Sequence, residues 1–367
     1  MSLSEKSKII LSYVIVAVVT LALILAAEAI VRVRQYINWG TFSAVNTFHT
    51  HEVTGLRIPT PGMKTRSIEI NSLGFRGPEI NSPKPSGSLR IAFIGASTTY
   101  CAEVSGNDQV WTDQVSRSLK SMWPDLSVDY INAGVGGYTA EDSLVNLDVR
   151  VLPLEPDVIV IYHGTNDISA DTRTLAERAG IKSVNLALEE SWLSKYSLLW
   201  MLVEKNLSLM TLENTADAEL LEVKPDNLGS EFRENLRLMV QSARERGVSV
   251  VALATFSTHL RPGMTAEQRD KAMVSSRYYM PYLSADSLLA LFNRYNQIIR
   301  EVAKETGALL IGNADGIPGD PVHFNDSVHF TDAGSKAQAD RVAKVLLESS
   351  RFLDLVDSKL SKKISVD

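Results

Sequence analysis

Residues 89–99 read LRIAFIGASTT, an apolar run that closes with small residues before Ser97. Four further apolar runs of strand length follow along the chain, and helical patterns separate them. Short runs that are apolar throughout are typical of strands buried on both faces, as in a parallel sheet covered by helices. The pattern therefore predicts an α/β fold, a three-layer α/β/α sandwich with a five-stranded parallel sheet. The five runs are residues 91–94, 128–131, 158–161, 248–254 and 308–311.

The segments between these runs indicate where the predicted domain begins and ends. Gly247 and Gly307 each follow a helical pattern, and glycine at that position supplies the left-handed conformation that ends a helix. A last helical pattern begins near Thr331, so we expect the domain to span residues 89–350, with a C-terminal tail over residues 351–367. Two stretches exceed ordinary loop length, and we expect helical insertions there. They are residues 168–229 and 257–287.

The amino-terminal region contains an uncharged, almost wholly apolar stretch over residues 9–27. A helix of that length crosses the hydrocarbon core of a bilayer, so we predict a tail over residues 1–8 and a transmembrane anchor over residues 9–31. The triplet Ala27-Glu28-Ala29 has the small-x-small form of a cleavage site, so a cleaved signal peptide is the alternative. Both interpretations place the long carboxyl-terminal part outside the cytoplasm, on the periplasmic or extracellular side. Residues 32–88 are rich in proline and glycine, and we expect a connector of partial order.

Composition and charge limit the classes of partner and cofactor that we expect. The chain has 367 residues and a formal net charge of −6, without a basic run long enough to follow a phosphate backbone, so nucleic acid is not an expected partner. Its one cysteine, Cys101, excludes an internal disulfide framework and a cysteine-cluster metal site. His49 and His51 lie in the connector away from any cluster of ligands, and neither a metal ion nor an organic cofactor is expected. The sequence does not indicate an oligomeric state.

Residue types suited to catalysis follow the predicted strands. Ser97 follows the first run, Gly137 lies in a glycine-rich turn after the second, and Asn166 follows the third. The carboxyl ends of parallel strands meet at one edge of a sheet, where ligands bind in open α/β folds. A serine at that edge is a candidate nucleophile, although a serine that only caps a helix is common.

Two Asp-x-x-His pairs precede the last helix, and either could supply a general base with its orienting carboxylate. They are Asp320 with His323 and Asp326 with His329. Their identical spacing does not distinguish them. His323 lies in a loop rich in glycine and proline, whereas His329 directly precedes the residues that open the last helix.

Together these blocks resemble those of the SGNH hydrolases, also called the GDSL-like lipase and acylhydrolase family, over residues 89–350. The resemblance implies the flavodoxin-like SGNH hydrolase fold and an ester hydrolase. It also implies a catalytic triad and an oxyanion hole and favours His329 over His323. The triad would be Ser97, Asp326 and His329, and the oxyanion hole Ser97, Gly137 and Asn166.

Two details refine the resemblance. The family's Gly-Asp-Ser-Leu motif stands here as Gly95-Ala96-Ser97-Thr98, and the altered aspartate position is not part of the triad. Upstream, residues 71–77 (NSLGFRG) resemble a segment that precedes the domain in exported, membrane-anchored bacterial members.

Substrate contacts are harder to predict. His259 and Arg261 follow the fourth run, at the same predicted edge of the sheet. They are candidate substrate contacts, with Tyr278, Tyr279 and Tyr282 of the second insertion as further candidates. A purely structural role is the alternative for all five, and position alone slightly favours it.

Three functions remain open. The first is a serine esterase that forms an acyl-enzyme at Ser97 and acts on an ester-bearing small molecule, envelope glycan or lipid. The second is an O-acyltransferase with the same triad, in which a sugar hydroxyl replaces water. The third is a binding module that kept the fold and lost the chemistry. The joint presence of the nucleophile, base, carboxylate and oxyanion residues argues against the third.

Overall fold

A computed structural model describes residues 5–42, 47–181, 191–194, 196–213 and 220–364 of the chain. The chain divides into two compact units. The smaller unit contains residues 1–46 and 185–216, and the larger contains residues 47–184 and 217–367. Parts of the first predicted insertion, residues 182–190, 195 and 214–219, lie outside the described residues.

The larger unit is built on one parallel sheet. Its strands run in the order β4-β3-β5-β6-β7, and each neighbouring pair is parallel. The residues of β3, β5 and β6 are buried along the whole of each strand, as expected for strands covered on both faces. The prediction of a five-stranded parallel sheet is confirmed. The strands are β1 Phe48–Thr50, β2 Arg57–Pro59, β3 Leu89–Gly95, β4 Val128–Asn132, β5 Val158–Tyr162, β6 Val250–Ala254 and β7 Leu309–Ile311.

Helices flank the sheet in two groups and complete the predicted three-layer sandwich. In one group α3 packs on α11, and in the other α4 and α10 pack on α7. The helices are α1 Glu5–Trp39, α2 Ser97–Tyr100, α3 Trp111–Met122, α4 Ala140–Asn146, α5 Thr165–Arg178, α6 Leu198–Glu213, α7 Ser230–Glu245, α8 Ala266–Ala272, α9 Val274–Tyr279, α10 Ala285–Thr306, α11 Asp332–Leu347 and α12 Ser350–Ile364.

The carboxyl terminus differs from the prediction. The expected tail over residues 351–367 is largely α12, which packs on α11. Phe352 and Val356, one helical turn apart, are both fully buried. This four-residue spacing gives the helix one apolar face toward the domain. The second predicted insertion, residues 257–287, carries the short helices α8 and α9.

The segment before the domain is more ordered than expected. Within the connector over residues 32–88, residues 47–88 contain an antiparallel ribbon of β1 and β2. The Asn71 side chain accepts hydrogen bonds from the backbone N–H groups of Leu73 and Phe75 and donates one to the carbonyl of Pro78. Phe75 is buried in the same core as the sheet. Side-chain bonds to the backbone therefore order a stretch without regular periodicity.

Arg76 joins this segment to the helix that begins at Ser97. Its guanidinium donates to the carbonyls of Tyr100, at 2.7 Å, and Cys101. These carbonyls end α2, where helical C=O groups have no partner within the helix. The same side chain donates to the carbonyl of Ser67 at 2.9 Å and to Asn107 Oδ1 at 2.8 Å, and Arg76 is only 1% exposed. One buried arginine thus closes the end of a four-residue helix.

In the smaller unit, α1 is long and apolar enough over residues 8–37 to cross a membrane, and none of that stretch is buried inside the structure. Glu28 in α1 accepts hydrogen bonds from the backbone N–H groups of Leu198, at 3.1 Å, and Leu199, at 2.9 Å. Arg32 donates to the same carboxylate at 2.7 Å. Since the first N–H groups of a helix lack partners, this carboxylate caps α6.

We expect Arg76→Ala to lower the free energy of unfolding by about 3 kcal/mol, because it leaves buried carbonyl groups without a hydrogen-bond donor. Arg246→Ala, at an exposed position, is the matched control and should change it by less than about 0.5 kcal/mol. Urea unfolding of the full chain in detergent, followed by tryptophan fluorescence, measures both. An equal effect of the two substitutions would contradict this role for Arg76.

Candidate active site

The candidate site lies where the strand order of the sheet reverses. β3 lies between the next strand along the chain, β4, and the one after it, β5. Loops that follow β3 and β5 therefore diverge and leave a crevice at the carboxyl ends of the strands. Ser97 begins α2 directly after β3, and Asn166 lies in the first turn of α5, after β5.

Three side chains form a chain of hydrogen bonds in this crevice. Ser97 Oγ lies 2.8 Å from His329 Nε2, and His329 Nδ1 lies 2.7 Å from Asp326 Oδ2. The bond to Asp326 places the ring proton on Nδ1, so Nε2 is free to accept the hydroxyl proton of Ser97. The arrangement has the geometry of a nucleophile, a base and a carboxylate that orients the base.

Local backbone structure holds these groups in place. Asp326 Oδ1 accepts hydrogen bonds from the backbone N–H groups of Val328 and His329, each at 2.9 Å, which fixes the Asp-x-x-His turn. Before the serine, a Cβ on Gly95 would lie 2.1 Å from Thr99 Oγ1 and 2.7 Å from the carbonyl oxygen of Tyr162. Only glycine allows β3 to turn this tightly into α2.

The electrostatics of the pair support charge separation. Burial would raise the pKa of Asp326, but the hydrogen bond and charge of His329 and two backbone N–H donors outweigh it and lower the pKa to about 2. Burial would lower the pKa of His329, but the hydrogen bond that its ring donates to Asp326 and the charges of Glu103 and Asp326 raise it above its usual value. An ionised Asp326 therefore stabilises a protonated imidazole.

A glycine-rich turn after β4 lies beside Ser97. Gly137 has a φ of +87°, a conformation that L side chains rarely adopt. A Cβ on the preceding Gly136 would lie 4.0 Å from Ser97 Cβ, so this turn passes close to Ser97. Asn166 Nδ2 donates to the carbonyl of Tyr138 at 2.8 Å, which holds the amide beside the same turn.

Two buried side chains, those of Asp167 and His163, contact the residues that follow this turn. Asp167 Oδ1 accepts a hydrogen bond from the backbone N–H of Ala140 at 2.8 Å, and His163 Nε2 lies 2.8 Å from Ser143 Oγ. Burial lowers the pKa of His163 to about 3 and raises the pKa of Asp167 to about 7. At pH 5 both are therefore neutral, and the 3.8 Å contact between them is not an ion pair.

The second Asp-x-x-His pair has the same local geometry without the serine. His323 Nδ1 lies 2.7 Å from Asp320 Oδ1, and Asp320 Oδ1 accepts a hydrogen bond from the backbone N–H of His323. Ser97 Oγ contacts His329 rather than His323. Spacing alone could not distinguish the two pairs, and the fold brings only His329 to the end of β3.

A cavity of about 510 Å³ opens over the serine. Its walls come from β2, the turn after β4, α5, α9 and the loop that carries His329. Three charged residues that the sequence pattern did not single out line it, namely Arg57, Glu103 and Arg173. Of these three, only Arg173 could have been identified from the sequence, because it lies seven residues after Asn166 and therefore on the same face of a helix.

The predicted substrate contacts lie elsewhere. His259 is buried, and its Nδ1 lies 3.1 Å from the carbonyl oxygen of Asp326. Arg261 donates to the carbonyls of Ile317, at 2.8 Å, and Thr258. Neither side chain lines the cavity, whereas Tyr279 of α9 does. Both side chains contact backbone carbonyl groups, so each has a structural partner within the fold.

No metal site is formed by the residues that the structure describes, because no three of their histidine, cysteine or carboxylate side chains meet in a suitable group. His51 of the ribbon contacts Thr54 Oγ1 at 3.1 Å instead.

Comparison with solved structures finds several similar chains. A lipase/acylhydrolase from Enterococcus faecalis is 20% identical, with a TM-score of 0.41, covering 70% of this chain and 94% of its own. An acetylxylan esterase from Geobacillus stearothermophilus is 17% identical, with a TM-score of 0.42, covering 71% of this chain and 94% of its own. Among curated proteins no relative was found.

The model of the GDSL-like lipase/acylhydrolase family matches residues 93–337, which is more than half of the chain. The matched region begins within β3 and ends within α11, so it includes Ser97, Asn166 and the loop of Asp326 and His329. The chain therefore belongs to the GDSL-like lipase/acylhydrolase family and is an ester hydrolase of that family.

Proposed function

We propose that this chain hydrolyses carboxylic esters through an acyl-enzyme at Ser97, with His329 as general base and Asp326 as its orienting carboxylate. The observation that carries the proposal is the hydrogen-bond chain Ser97 Oγ to His329 Nε2, 2.8 Å, and His329 Nδ1 to Asp326 Oδ2, 2.7 Å, at the floor of a cavity. The substrate class is an acyl ester of a glycan or a lipid.

Acylation begins when Ser97 Oγ attacks the ester carbonyl and His329 Nε2 takes the hydroxyl proton. The tetrahedral intermediate collapses as His329 returns that proton to the leaving alkoxide. The acyl group then remains on Ser97. Water, activated by the same imidazole, attacks the acyl-enzyme, and the carboxylic acid leaves as Ser97 regains its proton.

The negative charge on the carbonyl oxygen needs donors that are already in place. The proposed donors are the backbone N–H groups of Ser97 and Gly137 and the side-chain amide of Asn166. The positions of these residues support the assignment. Ser97 begins a helix, Gly137 lies in the adjacent turn, and Asn166 is hydrogen-bonded to that turn through the carbonyl of Tyr138.

We also propose that α1 is a retained membrane anchor and that the catalytic unit lies outside the cytoplasm. A signal sequence would pass the same test of length and composition. Glu28, however, lies inside the Ala27-Glu28-Ala29 triplet and caps α6 through the N–H groups of Leu198 and Leu199. Cleavage after Ala29 would remove that cap, which favours a retained helix.

We expect Ser97→Ala and His329→Ala each to lower the turnover of p-nitrophenyl acetate by at least about 10⁴-fold, because either change breaks the nucleophile–base unit. His323→Ala is the matched control, since it removes an equivalent imidazole from a pair that does not reach Ser97, and its activity should stay near wild type. Steady-state assays on the full chain in detergent measure all three.

Intact mass spectrometry of the same samples should show an acyl adduct in the wild type and none in Ser97→Ala. An adduct without turnover would favour the acyltransferase, and candidate sugar acceptors should then restore release of the acyl group. The absence of both adduct and turnover would favour a binding module. Activity lost in His323→Ala and kept in His329→Ala would contradict the assignment of the base.

We expect Asn166→Ala to lower kcat by about 100- to 1000-fold, because one oxyanion donor is lost. KM should change much less, since the charge on the oxygen develops only in the transition state. Thermal unfolding of the variant serves as the control for loss of the bond to Tyr138. A change confined to KM would count against a role in the oxyanion hole.

The profile of kcat/KM against pH should respond to Glu103, whose Oε1 lies 3.9 Å from His329 Nδ1. Activity requires neutral His329, so it falls as pH drops through the raised pKa of that ring. Glu103→Gln removes a negative charge that stabilises the imidazolium, so the acid limb should move to lower pH. Glu52→Gln, the same charge change outside the cavity, should leave the profile in place. A shift to higher pH in Glu103→Gln would refute this coupling.

A further inference from the structure

The cavity over Ser97 has two arginine side chains in its walls, Arg57 from β2 and Arg173 from α5. Neither has a part in the acyl transfer described above. Both belong to the larger unit.

Arg57 lies close to the nucleophile. Its Nη2 and Ser97 Cβ each lie 4.0 Å from the position that a Cβ on Gly136 would take, so the two atoms are within about 8 Å of each other. The guanidinium stacks on Phe48, 4.5 Å from the ring centre, and Nη2 donates to the carbonyl of Gly136 at 2.5 Å. These contacts hold the group in one orientation and leave further N–H donors of the guanidinium for a ligand.

Arg173 extends the same wall. It shares one face of α5 with Asn166 and Ser169, and seven residues of helix place it about 10 Å along the axis from Asn166. Within the part of the chain that the structure describes, Arg173 has no hydrogen bond or ion pair. Ser169, between the two, is 8% exposed and lines the cavity, and its Oγ has no hydrogen-bond partner among the described residues. Asn166, Ser169 and Arg173 thus form a polar row along α5, and the hydrogen-bond donors of Ser169 and Arg173 have no partner among the described residues.

The carboxylates nearest the serine are placed at the imidazole. Asp326 is bonded to His329, and Glu103 lies 3.9 Å from the same ring. The arginines, in contrast, stand beside the Gly136–Gly137 turn and along α5. Within the described residues, neither arginine forms an ion pair with these two carboxylates.

In the remaining lining, hydroxyl-bearing side chains outnumber apolar ones. A long acyl chain beside Ser169 would leave its buried Oγ without a hydrogen bond, whereas a hydroxyl group of a sugar can supply one. The hydroxyl-bearing residues include Thr139, Thr165, Ser169 and Ser275, and the apolar ones are Ala170, Met280 and Val328.

We propose that Arg57 and Arg173 form an anion subsite, and that the substrate is an acylated sugar that carries an acidic group, a carboxylate or a phosphate. Guanidinium groups bind both oxyanions through paired N–H donors. The inference rests on the proposed ester hydrolysis at Ser97 and names the class of ester that the site selects.

The test compares kcat/KM for three O-acetyl sugars: a neutral methyl glucoside, the matching methyl glucuronoside and the matching glucoside 6-phosphate. We expect the full-length wild type to prefer at least one charged ester over the neutral one by about tenfold or more. The arm that shows the preference identifies carboxylate or phosphate. The preference should shrink as ionic strength rises, because salt screens the attraction.

The variants Arg173→Gln and Arg57→Gln should each reduce the ratio of charged to neutral kcat/KM by about tenfold. Arg57→Gln also removes the hydrogen bond to the carbonyl of Gly136, and a general loss of activity from that change would lower kcat/KM equally for charged and neutral esters. The ratio of the two kcat/KM values therefore reports only on recognition of the charge. Arg178→Gln, the same change at an exposed position on the same helix, is the matched control and should leave the ratio unchanged.

The outcomes separate the two proposals. Turnover of p-nitrophenyl acetate without any preference for charge, or a preference that survives both arginine variants, would overturn the anion subsite and leave ester hydrolysis intact. An equal loss on charged and neutral esters would assign the arginines to the oxyanion instead. Failure to turn over p-nitrophenyl acetate would overturn the proposed function itself.

Discussion

The strand order of the sheet reverses beside β3, and this reversal creates the crevice in which every candidate catalytic group lies. The loops after β3 and β5 leave toward different faces, so Ser97 and Asn166 stand on opposite sides of one opening. His329 reaches it from 232 positions further along the chain, in the loop that precedes α11. A sheet covered by helices on both faces holds these distant segments in place, because its strands and the flanking helices share one buried core.

Ser97, the proposed nucleophile, stands on a helix too short to be stable alone. α2 has four residues, so its geometry depends on tertiary contacts rather than helix propensity. One end abuts β3 through the close approach at Gly95, and the other is closed by Arg76 from a segment that precedes the domain. The same preceding segment supplies Arg57 to the cavity wall. Thus residues 47–88 are part of the larger unit.

Sequence patterns predicted the sheet because buried parallel strands have a local signature, and the hydrogen-bonded set of Ser97, His329 and Asp326 was also identified by its motifs. The order of residues 47–88 could not be predicted, because it depends on bonds such as those of Arg76 to carbonyls far along the chain. Position after a strand suggested that Arg261 would face a substrate. Position does not determine the direction of a side chain, and nearby carbonyls hold this one away from the cavity.

Because α2 depends on Arg76, the functional unit of this enzyme extends beyond the residues that the family model matches. The family match begins at residue 93, inside β3. A fragment trimmed to that boundary would keep every residue of the hydrogen-bonded set at Ser97. It would nevertheless lose part of β3, the donor that closes α2 and the arginine beside the Gly136 turn. The shortest unit with a complete wall around its serine begins near residue 47, so boundaries taken from family resemblance alone would describe a catalytic centre without its supports.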